Sequence, residues 1–341
     1  MSAARPFGAT HSSWINAWTL RRACAALGLD LRVQDDRRTM PLPRLPAGAA
    51  AEWLFFTEER SLAQALAAPP AGARFWPREF PPALLDDKWA FAAWLAEHPA
   101  GPQGLPQWPL AEAANARWPL LLKARHSWRG ERKLPRGWVC RNAAELQAAL
   151  ARLPAAEQGW FFLQQWFGDA PMRLVSVAGF FDAADESRNL ACVTERLADY
   201  GEGPSSSALL VTAADEMGLV GRAEQVLRRL RYHGPYELEF VVADGRAHAL
   251  ELNPRFWMQH GLFLAAGNGL VKRYLGVESA ADRTQRLLPP GLQWADGFWL
   301  LRRLLRADFA TLRRVRERRT VVCPGPLATL GAALWRLGGT R

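Results

Sequence analysis

Between residues 234 and 255 the chain alternates apolar and polar side chains twice across a turn. The run is Gly234-Pro235-Tyr236-Glu237-Leu238-Glu239-Phe240-Val241-Val242, then Ala243-Asp244-Gly245-Arg246, then Ala247-His248-Ala249-Leu250-Glu251-Leu252-Asn253-Pro254-Arg255. Strand periodicity puts Leu238, Phe240, Leu250 and Leu252 on one face, and Glu237, Glu239, Glu251, Asn253 and Arg255 on the other. A two-residue turn at Asp244-Gly245 would oppose Glu239 to Leu250 and split the apolar set between two faces, which a single core cannot bury. A three- or five-residue connection instead brings Glu239 and Glu251 to one side, diagonal or directly opposed. Carboxylates that close repel each other unless a cation lies between them. A hard divalent ion meets that need, with Asn253 as a neutral third oxygen donor. Mg2+ takes one or two protein carboxylates and leaves positions for waters and phosphate oxygens. The hairpin therefore points to a metal-bound nucleotide. Glu237 by itself reads as an ordinary solvent-facing acid.

With 341 residues and 49% hydrophobic content the chain can bury the cores of two or three domains, which excludes disordered and fibrous classes. Charges interrupt each apolar run well short of a membrane span, and residues 1–13 lack the basic start and apolar core of a secretory leader. Cys24, Cys140, Cys192 and Cys323 lie far apart without a CxxC pair, which argues against a disulfide framework or zinc site and for a reducing cytoplasm. The net charge of +10 calls for an anionic partner without choosing among nucleotide, nucleic acid, acidic substrate and membrane surface. Of 43 basic residues only Lys88, Lys123, Lys133 and Lys272 are lysine. The arginine excess fits base composition, so the lysines are the positions to follow.

The chain predicts an α/β architecture. A helix over 13–27 and short strands at 29–33 and 53–56 make a small N-terminal α/β unit. A helix capped by Asp86 or Asp87 runs through Leu95, and an apolar strand, Trp118-Pro119-Leu120-Leu121-Leu122-Lys123, ends in lysine. A capped helix follows over 142–153, then strands at 160–165, 172–181 and 189–196, and a helix over 213–231. Residues 298–315 make an amphipathic basic element with a break near Asp308, suited to packing on the body, to an anionic acceptor, or to peripheral contact with a membrane surface.

The string Glu251-Leu252-Asn253-Pro254-Arg255, with Glu239-Phe240 twelve residues before it, resembles the metal-binding signature of the ATP-grasp superfamily, the fold of biotin carboxylase and D-alanine:D-alanine ligase. Asp87-Lys88, residues 119–123 and Leu163-Gln164-Gln165-Trp166-Phe167-Gly168 precede it in the order such proteins show. The resemblance covers roughly residues 84–276. It implies an α/β fold with α+β lobes: a pre-ATP-grasp α/β domain (1–84), an N-terminal lobe with its lid (85–165), a C-terminal lobe with the metal site (166–278) and a helical C-terminal extension (279–341). It further implies Mg2+, or Mn2+, on Glu239, Glu251 and Asn253, and ATP phosphates on Lys88 and Lys123. Adenine is expected at a hinge formed by Gln164, Gln165, Trp166 and Phe167, with Asp169 in place of a ribose-binding acid. Arg255, Lys123 and Arg196 are the expected catalytic groups, Arg255 facing the transferred or acyl phosphate.

The implied reaction joins a small carboxylate to an amine, with amino acids or an anionic acceptor as expected partners, through an acyl phosphate made from ATP. Two features depart from the family pattern. The usual hinge acid is Gln here, and the lid after Lys123 reads Ala124-Arg125-His126-Ser127-Trp128-Arg129-Gly130-Glu131-Arg132-Lys133, with one glycine where relatives carry several. Arg125, Arg129 or Arg132 is expected to supply charge in place of backbone donors. These departures leave open an ATP-binding protein of the same fold without ligase activity. A basic nucleic-acid-binding protein is the rival from another class, although no zinc finger, RNP-like string or helix-turn-helix signature is found.

Overall fold

Short buried apolar runs separated by glycine and proline become strands, and the amphipathic stretches between them become helices that cover the sheets. The computed structural model describes residues 6–10, 14–34, 53–130, 132–168, 172–200, 207–316, 320–325, 327 and 329. Near the N-terminus Pro6–Thr10 (β1), Asp30–Gln34 (β2) and Leu54–Phe56 (β3) form a parallel sheet in the order β2-β1-β3, with helix Trp14–Ala25 between the first two. Next in the chain come Gln107–Trp108 (β4), Leu120–Ala124 (β5), the small hairpin Trp128–Arg129 (β6) and Arg132–Lys133 (β7), then Gly137–Cys140 (β8) and Phe161–Gln165 (β9). β4, β9, β5 and β8, in that order, form an antiparallel sheet.

Among the described residues the largest sheet has seven strands: Met172–Asp182 (β10), Leu190–Asp199 (β11), Ser207–Ala213 (β12), His233–Ala243 (β13), Arg246–Asn253 (β14), Gln293–Asp296 (β15) and Thr320–Cys323 (β16). Their order is β14-β13-β10-β11-β12-β15-β16, antiparallel except for the parallel pair β15–β16. Residues 279–341, expected to be helical, thus also contribute two strands to this sheet. No helix among the described residues is long and apolar enough to cross a membrane. All four cysteines are unpaired and buried.

The sheet's two faces are covered differently. On one, Val175, Val177, Leu238, Phe240 and Leu252 pack against Phe91 and Leu95 of helix Lys88–Ala96, against Ala223, Val226 and Leu227 of helix Leu219–Arg229, and against Leu54 and Phe56. On the other, Ala178, Phe180 and Cys192 pack with Phe55, Phe256, Trp257 and Tyr274. β3 is therefore wedged between two cores, its alternate residues serving each. The Phe256 amide donates to the Phe56 carbonyl at 3.0 Å, and the Tyr274 hydroxyl donates to the Leu54 carbonyl. This wedge delivers Thr57, Glu58 and Glu59 to the edge of a large cleft.

The helix predicted over 213–231 begins later than expected: the stretch entering it is a strand, β12, followed by a turn and then helix Leu219–Arg229. Ala208, Leu209, Leu210 and Val211 are buried between β11 and β15, and Asp215 accepts hydrogen bonds from the Leu219 and Val220 amides at 2.6 and 3.1 Å, so the helix starts only after it. The tail breaks where expected: helices Gly297–Leu305 and Phe309–Arg316 are separated at Ala307, whose φ is 53°, and Leu305 and Phe309 are 78% and 67% exposed there.

β10 and β11 approach so closely that a Cβ on Gly179 would lie 1.8 Å from the Leu190 carbonyl oxygen. Backbone cannot yield as a flexible side chain would. Gly179→Ala is expected to destabilise the protein by about 3 kcal/mol, read from denaturant midpoints at unchanged m-value.

Candidate active site

The hairpin β13–β14 turns through Asp244 and Gly245, with φ of 50° and 71°, the left-handed pair that a two-residue type I′ turn requires. Near the turn Val242 faces Ala247, Val241 faces His248 and Phe240 faces Ala249; beyond a bulge at Leu250, Glu239 faces Glu251, Leu238 faces Leu252 and Glu237 faces Asn253. The expected three- or five-residue connection is therefore absent. The two-residue turn forms, and one extra residue in β14 restores the parity that puts the acids together. Leu250 leaves the core face in consequence and lies with Val241, Met172, Leu174, Phe167 and Leu105 in a separate apolar cluster.

Glu239 and Glu251 look into a cleft of about 670 Å³ bounded by the two larger sheets, the lid and the segment after β3. Glu237 lines it too and is only 8% exposed, which corrects its reading as a solvent-facing acid. Burial, then Glu239, push its carboxyl up to about 8. Burial and the facing Glu251 also raise Glu239. Glu251 goes the other way: burial acts upward, but Lys88, Lys123 and Arg255 outweigh it and hold the carboxyl below its ordinary value. The Asn253 side-chain amide donates to Glu237 at 3.1 Å and to Glu239 at 3.4 Å. Arg255 donates to the Asn253 oxygen at 3.3 Å and, through Nε, to Glu59 at 2.6 Å.

Both lysines enter this cleft. Asp87 caps helix Lys88–Ala96, accepting from the Trp89 and Ala90 amides at 3.0 Å. That cap sets Lys88 at the first helical position, its Nζ 3.0 Å from Asp86 and 3.8 Å from Glu251. Lys123, on β5, is 7% exposed and donates to Gln164 at 3.2 Å. Burial pushes its ammonium down to about 8, against the pull of Glu251. Arg196 donates to the Ser207 hydroxyl at 2.8 Å and lines the cleft near Glu239.

Of the hinge residues, Gln164 is occupied by Lys123, while the Gln165 amide donates to the Arg117 and Pro119 carbonyls at 3.2 and 3.1 Å and braces the connection. Trp166 and Phe167 line the cleft, Phe167 stacked on His248 at 5.8 Å. Asp169 lies outside the described residues.

The three lid arginines have other work. Arg125 pairs with Asp87 at 2.7 Å, Arg129 lies 5.1 Å over Trp160, and Arg132 pairs with Glu157. Lys133 and Arg136 line the cleft instead. Sequence reasoning also missed Glu58, Glu59, Ser176 and Leu250, which line it as well. The acids after β3 carried a usable signal, since ligands gather beyond the carboxyl ends of parallel strands.

Among the described residues no group of three or more His, Cys, Asp and Glu side chains forms a metal cage. The facing pair Glu239 and Glu251 with the Asn253 amide is a different donor set: few ligands, all hard oxygens, and a like-charge strain that a cation would relieve. It fits Mg2+ bound together with phosphates better than an all-protein cage. The cleft thus has an apolar end, a carboxylate pair and two lysines beside it.

No family model and no curated protein matches the sequence. Solved structures do. The chain is similar to N5-carboxyaminoimidazole ribonucleotide synthetase from Thermus thermophilus, at 16% identity and a TM-score of 0.57 over 80% of this chain and 79% of that one. It is similar to carboxyaminoimidazole ribonucleotide synthase from Aspergillus clavatus complexed with ATP, at 13% identity and a TM-score of 0.56 over 84% and 81%. A third is the biotin carboxylase domain of 2-oxoglutarate carboxylase from Hydrogenobacter thermophilus, in complex with MgADP and bicarbonate, at 15% identity and a TM-score of 0.56 over 81% and 71%. At these identities the likeness is one of architecture, and the chain has the ATP-grasp fold.

Proposed function

We propose that this protein is an ATP-dependent carboxylate–amine ligase that forms an amide through an acyl phosphate. One observation carries the reading: Glu239 and Glu251 oppose each other in a cleft that Lys88 and Lys123 also line, Lys88 3.8 Å from Glu251. Burial disfavours the charges of Glu239 and Lys123 in the empty protein, and a metal-bound triphosphate would meet both, so the set is hard to explain as packing alone. The ATP-bound and MgADP-bound states of the similar structures support the same reading.

Each group then has a physical task. Leu250, Val241, Met172 and Leu174, with Phe167, offer an apolar slot for adenine beside the hinge backbone of residues 164–167. Lys88 and Lys123 hold phosphate oxygens as compact point charges. Glu239, Glu251 and Asn253 hold Mg2+, which when bound neutralises charge on the phosphates. Arg255, locked between Glu59 and Asn253, is pre-positioned to stabilise the carboxylate substrate and the acyl phosphate derived from it. Arg196 flanks the carboxylates and adds positive charge on that wall. The test is ADP release with MgATP over a panel of small carboxylates, bicarbonate and amino acids, each with and without added amine, followed by mass spectrometry of products. Release that requires both a carboxylate and an amine is the expected result. Nucleotide binding without substrate-stimulated release would favour the binding-only alternative, for which the glycine-poor lid is the specific argument.

A further inference from the structure

Glu58 follows Thr57 at the end of β3 and stands at the N-cap of helix Glu59–Ala67, yet its side chain makes no capping hydrogen bond. It is 7% exposed and lines the cleft. Among the described residues its carboxylate has no hydrogen-bond or ion-pair partner, whereas its neighbour Glu59 is held by Arg255. A carboxylate with so little exposure, open only to the cleft and without a bonded partner, is disfavoured in its charged form until a cation meets it. Thr57, Trp257, Met258 and Gln259 line the same end of the cleft. That end is tied to the carboxylate pair through Glu59, Arg255 and Asn253 in succession.

Resting on the ligase reading, we infer that this chamber binds the amine substrate as an ammonium ion and that Glu58 accepts its proton. The ammonium gives a proton to the Glu58 carboxylate, and the freed lone pair attacks the carbonyl carbon of the acyl phosphate. The C–N bond forms as the C–O bond to phosphorus-bound oxygen breaks, and phosphate leaves with that electron pair. The second nitrogen proton passes to the departing phosphate. A proton acceptor works best with a pKa near the working pH. Burial, then Glu59, raise the Glu58 carboxyl to about 7, against Arg255 and Lys133, with Asp86 adding to the rise. An arriving cation would favour the ionised form.

The experiment compares wild type with Glu58→Gln and Glu58→Asp in MgATP, with acetate, bicarbonate and the standard amino acids as donors. Two nucleophiles are used: ammonium chloride, charged at neutral pH, and hydroxylamine, mainly neutral there. For Glu58→Gln, ligation of ammonium should fall by about 10²–10⁴-fold, while hydroxamate formation falls by less than about tenfold. Glu58→Asp should recover part of the ammonium rate. The wild-type ammonium rate should rise to about pH 7 and then level off, whereas the residual rate of Glu58→Gln should go on climbing with the fraction of free ammonia. Equal loss with both nucleophiles, or loss with neither, overturns the assignment while leaving the ligase reading intact. If wild type releases no ADP with any pair, the ligase reading fails and the assignment falls with it.

Discussion

Glu251→Gln and Glu239→Gln should each cut MgATP-dependent ADP formation by on the order of 10³-fold while the proteins stay folded, because under the proposed function each would remove one of two charges that hold the metal against the phosphates. Circular dichroism and ADP assays on the same preparations decide the matter; unchanged turnover in both variants would remove the basis of the metal site. Stability gives a second readout with a definite sign. Glu237 and Glu239 have carboxyls raised by burial and by one another's charge or that of Glu251, to about 8 for Glu237. The folded state therefore holds those protons more tightly than the unfolded chain. Their contribution is fully present below the ordinary carboxyl range and is lost as pH rises through about 8. Glu251, held low, acts only in more acid solution. The melting temperature of the ligand-free protein should accordingly decline from mildly acid to mildly alkaline pH. Glu239→Gln should flatten that decline, and Mg2+ with ATP should oppose it in wild type alone.

Lys123→Met should reduce turnover by about 10²–10³-fold through loss of a phosphate contact in a largely desolvated site. Its ligand-free melting temperature should be no lower than that of wild type at neutral pH. The reason is that burial depresses the Lys123 ammonium to about 8, so the surroundings of the empty protein disfavour its charge on balance. The stabilisation by MgATP that the proposed function predicts for wild type should shrink in the variant. Isothermal titration and thermal melts separate this outcome from a structural role, which would lower the melting temperature and leave nucleotide binding intact.

What is legible in the sequence, and what is not, follows from the range of the forces involved. Local alternation puts Glu239 and Glu251 each on the polar side of its own strand, because strand periodicity is a property of each residue's own backbone; that the two sides coincide rests on the bulge. Leu250 escapes it because a bulge is decided by pairing across two strands, and strict period-two counting cannot contain one. Glu237 defeats it for a related reason. Its burial depends on the strands paired on either side of it, β10 and β14, not on its neighbours in the chain. The caps are legible, Asp87 and Asn142 both serving as expected, since a cap is set within four residues. The helix over 213–231 is legible but its start is not: residues 214–218 form a turn whose Asp215 accepts from the Leu219 and Val220 amides, so the acids near the expected first turn lie ahead of the helix. Glu58 and Arg136 reach the cleft from separate parts of the chain, 58 after β3 and 136 beside Gly137, whose φ is 144°.

The bulge at Leu250 makes the chemistry depend on arithmetic. Leu250 is the one extra residue of β14, so deleting it would leave Glu251 facing Glu239, Leu252 facing Leu238 and Asn253 facing Glu237 in an unbroken ladder. The damaging change is the opposite one: pairing Leu250 straight across from Glu239, with no residue lost, would turn Glu251 and Asn253 toward the hydrocarbon layer beneath and bring Leu252 out. The site therefore depends on how the strand is paired as much as on which residues it carries, and surveys of such sequences by residue type alone would overlook the difference.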